Sequence, residues 1–238
     1  MQPRLPSLLD RPVAFGRLTA ESGEDQTGTD RLTTIVKRGA PGISADVWLT
    51  ADGVPVLDPT GKVGGRLRRQ AIAQLPAAEL DPSIPRLADL YPTIGADRPL
   101  SLDVRDPEAF EPILAAARAV DAEDGLWLCH PDVAVLTSWR PRTSARLVNQ
   151  AGYHAIDGGL ERRAAELEQR NIDGLRLDHR DWTGGRVTLL HRFARLALGA
   201  GVVFDRETAV LIDAGADGVY SERIEPMVAI MAEFYGSS

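Results

Sequence analysis

Short apolar runs alternate with amphipathic stretches along almost the whole chain of 238 residues. Strand character falls at 13–17, 43–49, 100–104, 126–129, 146–149 and 174–178, more weakly at 198–203, and again at 218–220. Helical patterning fills 30–38, 106–120, 134–139, 159–170, 183–196 and 207–214, the last closed by Gly215 as its C-cap. Strands that alternate with helices pair in parallel, because parallel neighbours need a helical crossover between them. An open doubly wound sheet competes with a closed barrel, but it usually carries a glycine-rich phosphate loop after its first strand. Here the first strand runs into Ala14-Phe15-Gly16-Arg17-Leu18 without that loop. The pattern therefore predicts an α/β fold, a (β/α)8 TIM barrel in one domain, at the compact end of a class that averages about 250 residues. Residues 19–30 read as a polar loop, and 52–85 as an insertion packed over one end of the barrel.

In such a barrel the functional side chains sit where strands end, and alternation along each strand decides which of them face inward. In Ile43-Ser44-Ala45-Asp46-Val47-Trp48-Leu49 the apolar residues take the odd positions, which sends Ser44, Asp46 and Trp48 into the barrel. The same rule applied to Leu100-Ser101-Leu102-Asp103-Val104-Arg105 turns Ser101, Asp103 and Arg105 inward. Two carboxylates and a guanidinium converging on one mouth suit an oxygen-held divalent cation beside a phosphate grip. An Asp–Arg network that simply plugs the barrel accounts for the pattern equally well.

Composition narrows the function classes. The 44% hydrophobic and 26% charged content is that of a protein with an ordinary core. A net charge of −7 argues against nucleic acid as a partner, since phosphate backbones need a basic face. Cys129 is the single cysteine, so no disulfide framework or cysteine-based zinc site can form within the chain. The opening MQPRLPSLLDRPVAF lacks the apolar run of a signal peptide, and no stretch is long enough for an integral membrane segment. A cytoplasmic protein is the expectation.

The segment GISADVWLTADGVPVLDPT at 42–60 resembles the signature of the glycerophosphodiester phosphodiesterase family, Gly-x-x-Glu-x-Asp-Val-x-x-Thr-x-Asp-Gly-x-Pro-Val followed by His-Asp. Ile84-Pro85-Arg86-Leu87, SLDVRDPEAF at 101–110 and DAGADGVYSER at 213–223 are similar to further family segments, so the resemblance spans nearly the whole chain. It implies a TIM barrel that hydrolyses glycerophosphodiesters in lipid metabolism, with a divalent metal on the phosphate and two histidines moving protons. The histidine of the family's opening His-Arg-Gly has no counterpart in Ala14-Phe15-Gly16-Arg17, although Arg17 keeps the arginine. Asp25-Gln26-Thr27 resembles the family's Glu-Asn-Thr, and Ser44 replaces the glutamate of Glu-x-Asp while Asp46 remains. Val56-Leu57-Asp58-Pro59 stands where the second histidine and its aspartate would be, and the third strand's Glu and Lys become Asp103 and Arg105. No histidine occurs before His130, whereas both family histidines lie in the first third of the chain.

Carried over in this way, Asp25, Asp46 and Asp103 are the expected ligands of Mg2+ or Ca2+. Arg17 and Arg105 would hold phosphate, His179 would replace a lost proton shuttle, and Trp48, Asp58 and His130 would line the substrate. General acid catalysis is worth roughly 10²–10⁴-fold at such a step. Loss of both histidines therefore implies activity lowered by orders of magnitude, a pseudoenzyme. Three readings remain at this stage: a weakened phosphodiesterase, a non-catalytic barrel binding a phosphorylated small molecule or a protein partner, and a purely structural module.

Overall fold

The computed structural model describes residues 5–17, 28–64 and 69–236. Eight parallel strands close into a barrel: β1 (Val13–Arg17), β2 (Gly42–Leu49), β3 (Leu100–Val104), β4 (Leu126–His130), β5 (Arg146–Gln150), β6 (Gly174–Asp178), β7 (Leu196–Val202) and β8 (Gly218–Ser221). Each pairs with the next in order, and β8 pairs with β1, which pairs with β2, so no barrel edge is left open. The outer ring is α1 (Gly28–Lys37), α2 (Leu87–Ile94), α3 (Phe110–Arg118), α4 (Val133–Trp139), α5 (Gly159–Gln169), α6 (Gly184–Arg192), α7 (Asp205–Asp213) and α8 (Ile224–Tyr235). The expected (β/α)8 TIM barrel is the observed fold. No helix among the described residues is long and apolar enough to cross a membrane.

Two apolar layers follow from strand alternation. Ile43, Ala45, Val47, Leu100, Leu102, Leu126, Leu128, Leu175 and Leu177 face outward into the main core beneath the helices. Phe15, Trp127, Cys129, Val148, Leu196, Leu198 and Tyr220 fill the barrel interior. There Tyr220 stacks on Phe15 at 4.7 Å between ring centroids. This plug closes the barrel from below and leaves only the carboxyl ends of the strands open to chemistry.

The lower end is tied down by Asp217, a fully buried carboxylate just before β8. It accepts hydrogen bonds from Ser7 Oγ (2.8 Å), Leu8 N (2.6 Å) and Ala197 N (2.7 Å), and His191 Nε2 lies 2.8 Å away. Burial of an anion is tolerable only with such a set of partners. The insertion lies at the other end. Pro55–Leu57 runs antiparallel to β2, and Lys62–Val63 pairs with Gln70–Ala71 as a small hairpin. Val56, Ile72 and Leu80 form a satellite core against Trp48.

Candidate anion site at the mouth of the barrel

Asp46 and Asp103 occupy equivalent positions on paired strands and both point inward. Strands lie about 4.8 Å apart, so the register alone forces two carboxylates side by side, and like charges directly opposite one another repel. The repulsion is relieved by three arginines. Arg17, at the end of β1, reaches Asp46 Oδ2 at 2.9 Å with one amino group and Asp103 Oδ2 at 3.0 Å with the other. The latter amino group also donates to Ser44 Oγ at 3.2 Å. Arg105, just past β3, donates from Nε to Asp46 Oδ1 at 2.6 Å, and its Nη2 also contacts that oxygen. Arg176, in the middle of β6, donates from Nη2 to Asp103 Oδ1 at 2.5 Å.

Burial grades the cluster from floor to rim. Asp103 and Arg176 are 1% and 3% exposed, whereas Arg17 and Arg105 reach 23% and 35%. Burial pushes the Asp103 carboxyl up, but Arg176 and Arg17 outweigh it and hold it below the usual carboxylate range. Burial dominates at Asp46 and raises its carboxyl, against the pull of Arg17 and with a further push from Asp103. Three cations face two anions, so the cluster carries a surplus positive charge.

Two of the three arginines also face a cavity. Arg17, Arg176, Gln150, Ala200, Gly201, Tyr220 and Glu222 enclose a space of about 190 Å³. Arg176 Nη1 is buried in its wall with no hydrogen-bond partner. An unmet donor on a buried cation costs more than an unmet neutral group, and the Tyr220 ring, 4.6 Å from the guanidinium carbon, satisfies the charge but not the N–H. The wall thus offers an incoming anion one unmet donor and the guanidinium groups of Arg17 and Arg176, with the Glu222 carboxylate beside them.

The donor set does not fit the expected Mg2+ or Ca2+. Such ions take six or more oxygens from carboxylates, carbonyls and water. Both oxygens of Asp46, and Oδ1 of Asp103, already accept from guanidinium groups, and the third family carboxylate is Ser44. No group of three or more His, Cys, Asp or Glu side chains suited to a metal occurs among the described residues. Asp25, assigned as the third ligand, lies outside the described residues.

Other expected site residues sit elsewhere. His130 ends β4 with the wrong parity: Cys129 points inward and His130 outward, edge-on to Trp139 of α4 at 5.6 Å. Its Nδ1 accepts from Asp132 N at 3.0 Å, and burial holds the imidazole below its ordinary range. His179 is a latch, with Nδ1 3.2 Å from the Ala200 carbonyl and Nε2 3.5 Å from Glu207. Trp48 is turned under the insertion, where its Nε1 donates to the Asp58 carbonyl at 2.8 Å and Gly61 lies against its indole. Asp58 builds the turn beneath it, its Oδ1 accepting from Thr60 N, Thr60 Oγ1 and Gly61 N at 2.7–2.8 Å. None of these four joins the arginine cluster. His154 is exposed and His191 stands at the lower end, whereas His179, just past the carboxyl end of β6, packs against Ala200 and Gly201 of the cavity wall.

Arg176 and Gln150 escaped the sequence reading, although the signal was present. Gly174-Leu175-Arg176-Leu177-Asp178 places an arginine at the inward parity between two leucines, the same rule that located Asp46.

Comparison with known folds places this mouth in context. No family model matches the sequence, and no curated protein matches it. Solved structures do match. The likeness is to glycerophosphodiester phosphodiesterases. A protein assigned as a glycerophosphoryl diester phosphodiesterase from Silicibacter pomeroyi superposes with a TM-score of 0.80 at 17% identity, covering 99% of this chain and 97% of its own. The glycerophosphodiester phosphodiesterase of Thermotoga maritima gives 0.77 at 16%, covering 93% and 99%. A phosphodiesterase from Oleispira antarctica, in complex with the product sn-glycerol-3-phosphate, gives 0.76 at 16%, covering 93% and 97%. Identities this low establish the fold alone.

Proposed function

We propose that this chain is a divergent, cytoplasmic relative of the glycerophosphodiester phosphodiesterases that binds a phosphorylated small molecule at the barrel mouth without hydrolysing it. The observation that carries this reading is the unpartnered Nη1 of buried Arg176 in the wall of a cavity shared with Arg17. Guanidinium groups match phosphate oxygens in geometry as well as charge. A phosphate dianion there would take up the unmet donor and lie against two guanidinium groups. The neighbour that holds sn-glycerol-3-phosphate on the same fold supports a phosphate monoester as the ligand class.

Turnover requires more than binding. A departing alkoxide needs a proton donor, and the described mouth presents arginines that do not give up protons at neutral pH. Asp46 and Asp103 are committed to those arginines, which leaves Glu222 as the remaining carboxylate in the cavity wall.

The test is a thermal-shift titration with inorganic phosphate and sn-glycerol 3-phosphate, beside a metal-replete assay on glycerophosphocholine, glycerophosphoglycerol and an aryl phosphodiester. Ligand at a hundred times Kd should stabilise the protein by about 2.7 kcal/mol, Arg176→Met should lose that gain, and no alcohol should be released. Robust turnover would overturn the reading, as would equal stabilisation of the Arg176→Met variant.

A further inference from the structure

The geometry points to Arg17 as a built-in cation that takes the place a divalent metal would need between Asp46 and Asp103, and so decides that the mouth binds anions without metal. One guanidinium spans the two carboxylates at 2.9 and 3.0 Å while also holding Ser44. Asp103 Oδ2 supplies a second, independent sign. It is buried and receives no hydrogen bond, and its counter-charges are Arg17 at 3.0 Å and Arg105 at 3.7 Å. An anionic oxygen answered by charge proximity rather than by directed donors is the kind of oxygen a metal ion would claim. Arg17 is tethered to β1, cannot dissociate, and also lines the anion cavity. Its removal would leave two adjacent buried carboxylates with Ser44 Oγ beside them and one fewer cation, an oxygen set open to a hard divalent ion.

This inference rests on the arginine-lined mouth proposed above, but its readout is cation binding and not phosphate binding. The experiment compares wild type, Arg17→Ala and the double variant Arg17→Ala/Asp46→Asn, each titrated with Mn2+ and followed by thermal shift and by water-proton relaxation. Wild type should bind Mn2+ no better than the double variant, and its phosphate-induced shift should be unchanged by EDTA. Arg17→Ala should bind Mn2+ at least about tenfold more tightly than wild type, and the added Asp46→Asn change should abolish the gain. Tight Mn2+ binding by wild type, or a phosphate shift that EDTA removes, would overturn the inference even if the alanine variant fails to fold. A folded Arg17→Ala variant with no gain would do the same. Absence of any phosphate shift in wild type would instead count against the anion-binding function and leave the Mn2+ comparison standing on its own.

Discussion

Replacing Asp103 by asparagine probes the whole cluster, because Asp103 answers Arg176 directly and shares Arg17 with Asp46. The wild-type floor has three guanidinium groups against two carboxylates. In Asp103→Asn it has three against one, and Arg176, 3% exposed, keeps its charge with no anion in contact. Removing one partner of a buried ion pair costs about 3–5 kcal/mol, mainly because the remaining charge is stranded. In a chain of this size each kcal/mol moves Tm by about 2–4 °C, so the variant should melt roughly 6–20 °C lower in phosphate-free buffer. Phosphate should then recover more stability in Asp103→Asn than in wild type, since the anion meets a larger surplus of charge. A double variant, Asp103→Leu with Arg176→Met, should be much closer to wild type than the single asparagine change, because replacing both partners leaves no orphaned charge. The assay is denaturant unfolding of the three proteins with and without inorganic phosphate. If Asp103→Asn lies within about 1 kcal/mol of wild type, the range of an exposed pair, then the cluster is solvated and the argument for a desolvated anion site collapses.

Three further outcomes follow from the same structure. Since the Asp103 carboxyl is held below its unfolded value near 3.8, the stability it contributes is present above that pH and is lost as pH falls through its folded pKa; the raised Asp46 carboxyl acts in the opposite sense, costing stability as pH climbs through its folded pKa. Unfolding free energies from pH 2.5 to 6 should therefore show a shallower acid loss in Asp103→Asn and a smaller rise-related penalty in Asp46→Asn, and identical slopes in all three proteins would contradict the assignment. Gly61→Val should destabilise by about 1–3 kcal/mol, because φ is +67° and a Cβ would stand 2.6 Å from Cδ2 of Trp48; unchanged unfolding would show that the Trp48 turn is not packed as described. Asp217→Ala should lose about 3–5 kcal/mol and release the 5–9 segment, seen as new protease cleavage near Leu8 before global unfolding, whereas resistance equal to wild type would refute its tethering role.

The barrel was legible because its signal is repeated eight times: short apolar runs, helical spacing between them, and no glycine-rich loop. Strand bounds agree within a residue or two, and the weak seventh strand runs 196–202 where 198–203 was expected. Periodicity alone missed two helices, α2 and α8, although the family resemblance put a helix after Ile84-Pro85-Arg86-Leu87, where α2 lies. Ile224–Tyr235 is so apolar along much of its length that periodicity stands out poorly, and Leu87–Ile94 lies at the end of an irregular insertion and contains Pro92. Alternation placed Asp46, Asp103 and Arg105 together because inward parity is a property of each strand alone. It sent Trp48 inward, but the insertion holds that ring away from the cluster; His130 is the last residue of β4 and takes the outward parity, while His179 and Asp58 lie past strand ends and are aimed by their loop partners. His179 is held by Ala200 and Glu207, both distant in sequence, and Asp58 by a turn of its own.

On the proposed reading, the arrangement of charge lets this barrel keep an anion-binding mouth without the two histidines that the family resemblance implies. Packing against the helices uses only outward-facing residues, and the lower interior is sealed by Phe15, Trp127 and Tyr220. Neither layer constrains what stands at the upper ends of the strands. The register between β2 and β3 does: it sets Asp46 beside Asp103, and two buried anions at strand spacing demand a cation between them. A diffusible metal meets that demand and supplies Lewis acidity as well. Arg17, with Arg105 and Arg176 beside it, meets it too, supplies no comparable polarisation of a bound phosphate, and needs no ion from solution. On the proposed reading, with Arg17 between the two carboxylates, Arg176 Nη1 remains free to donate to an anion, and binding alone calls for no histidine.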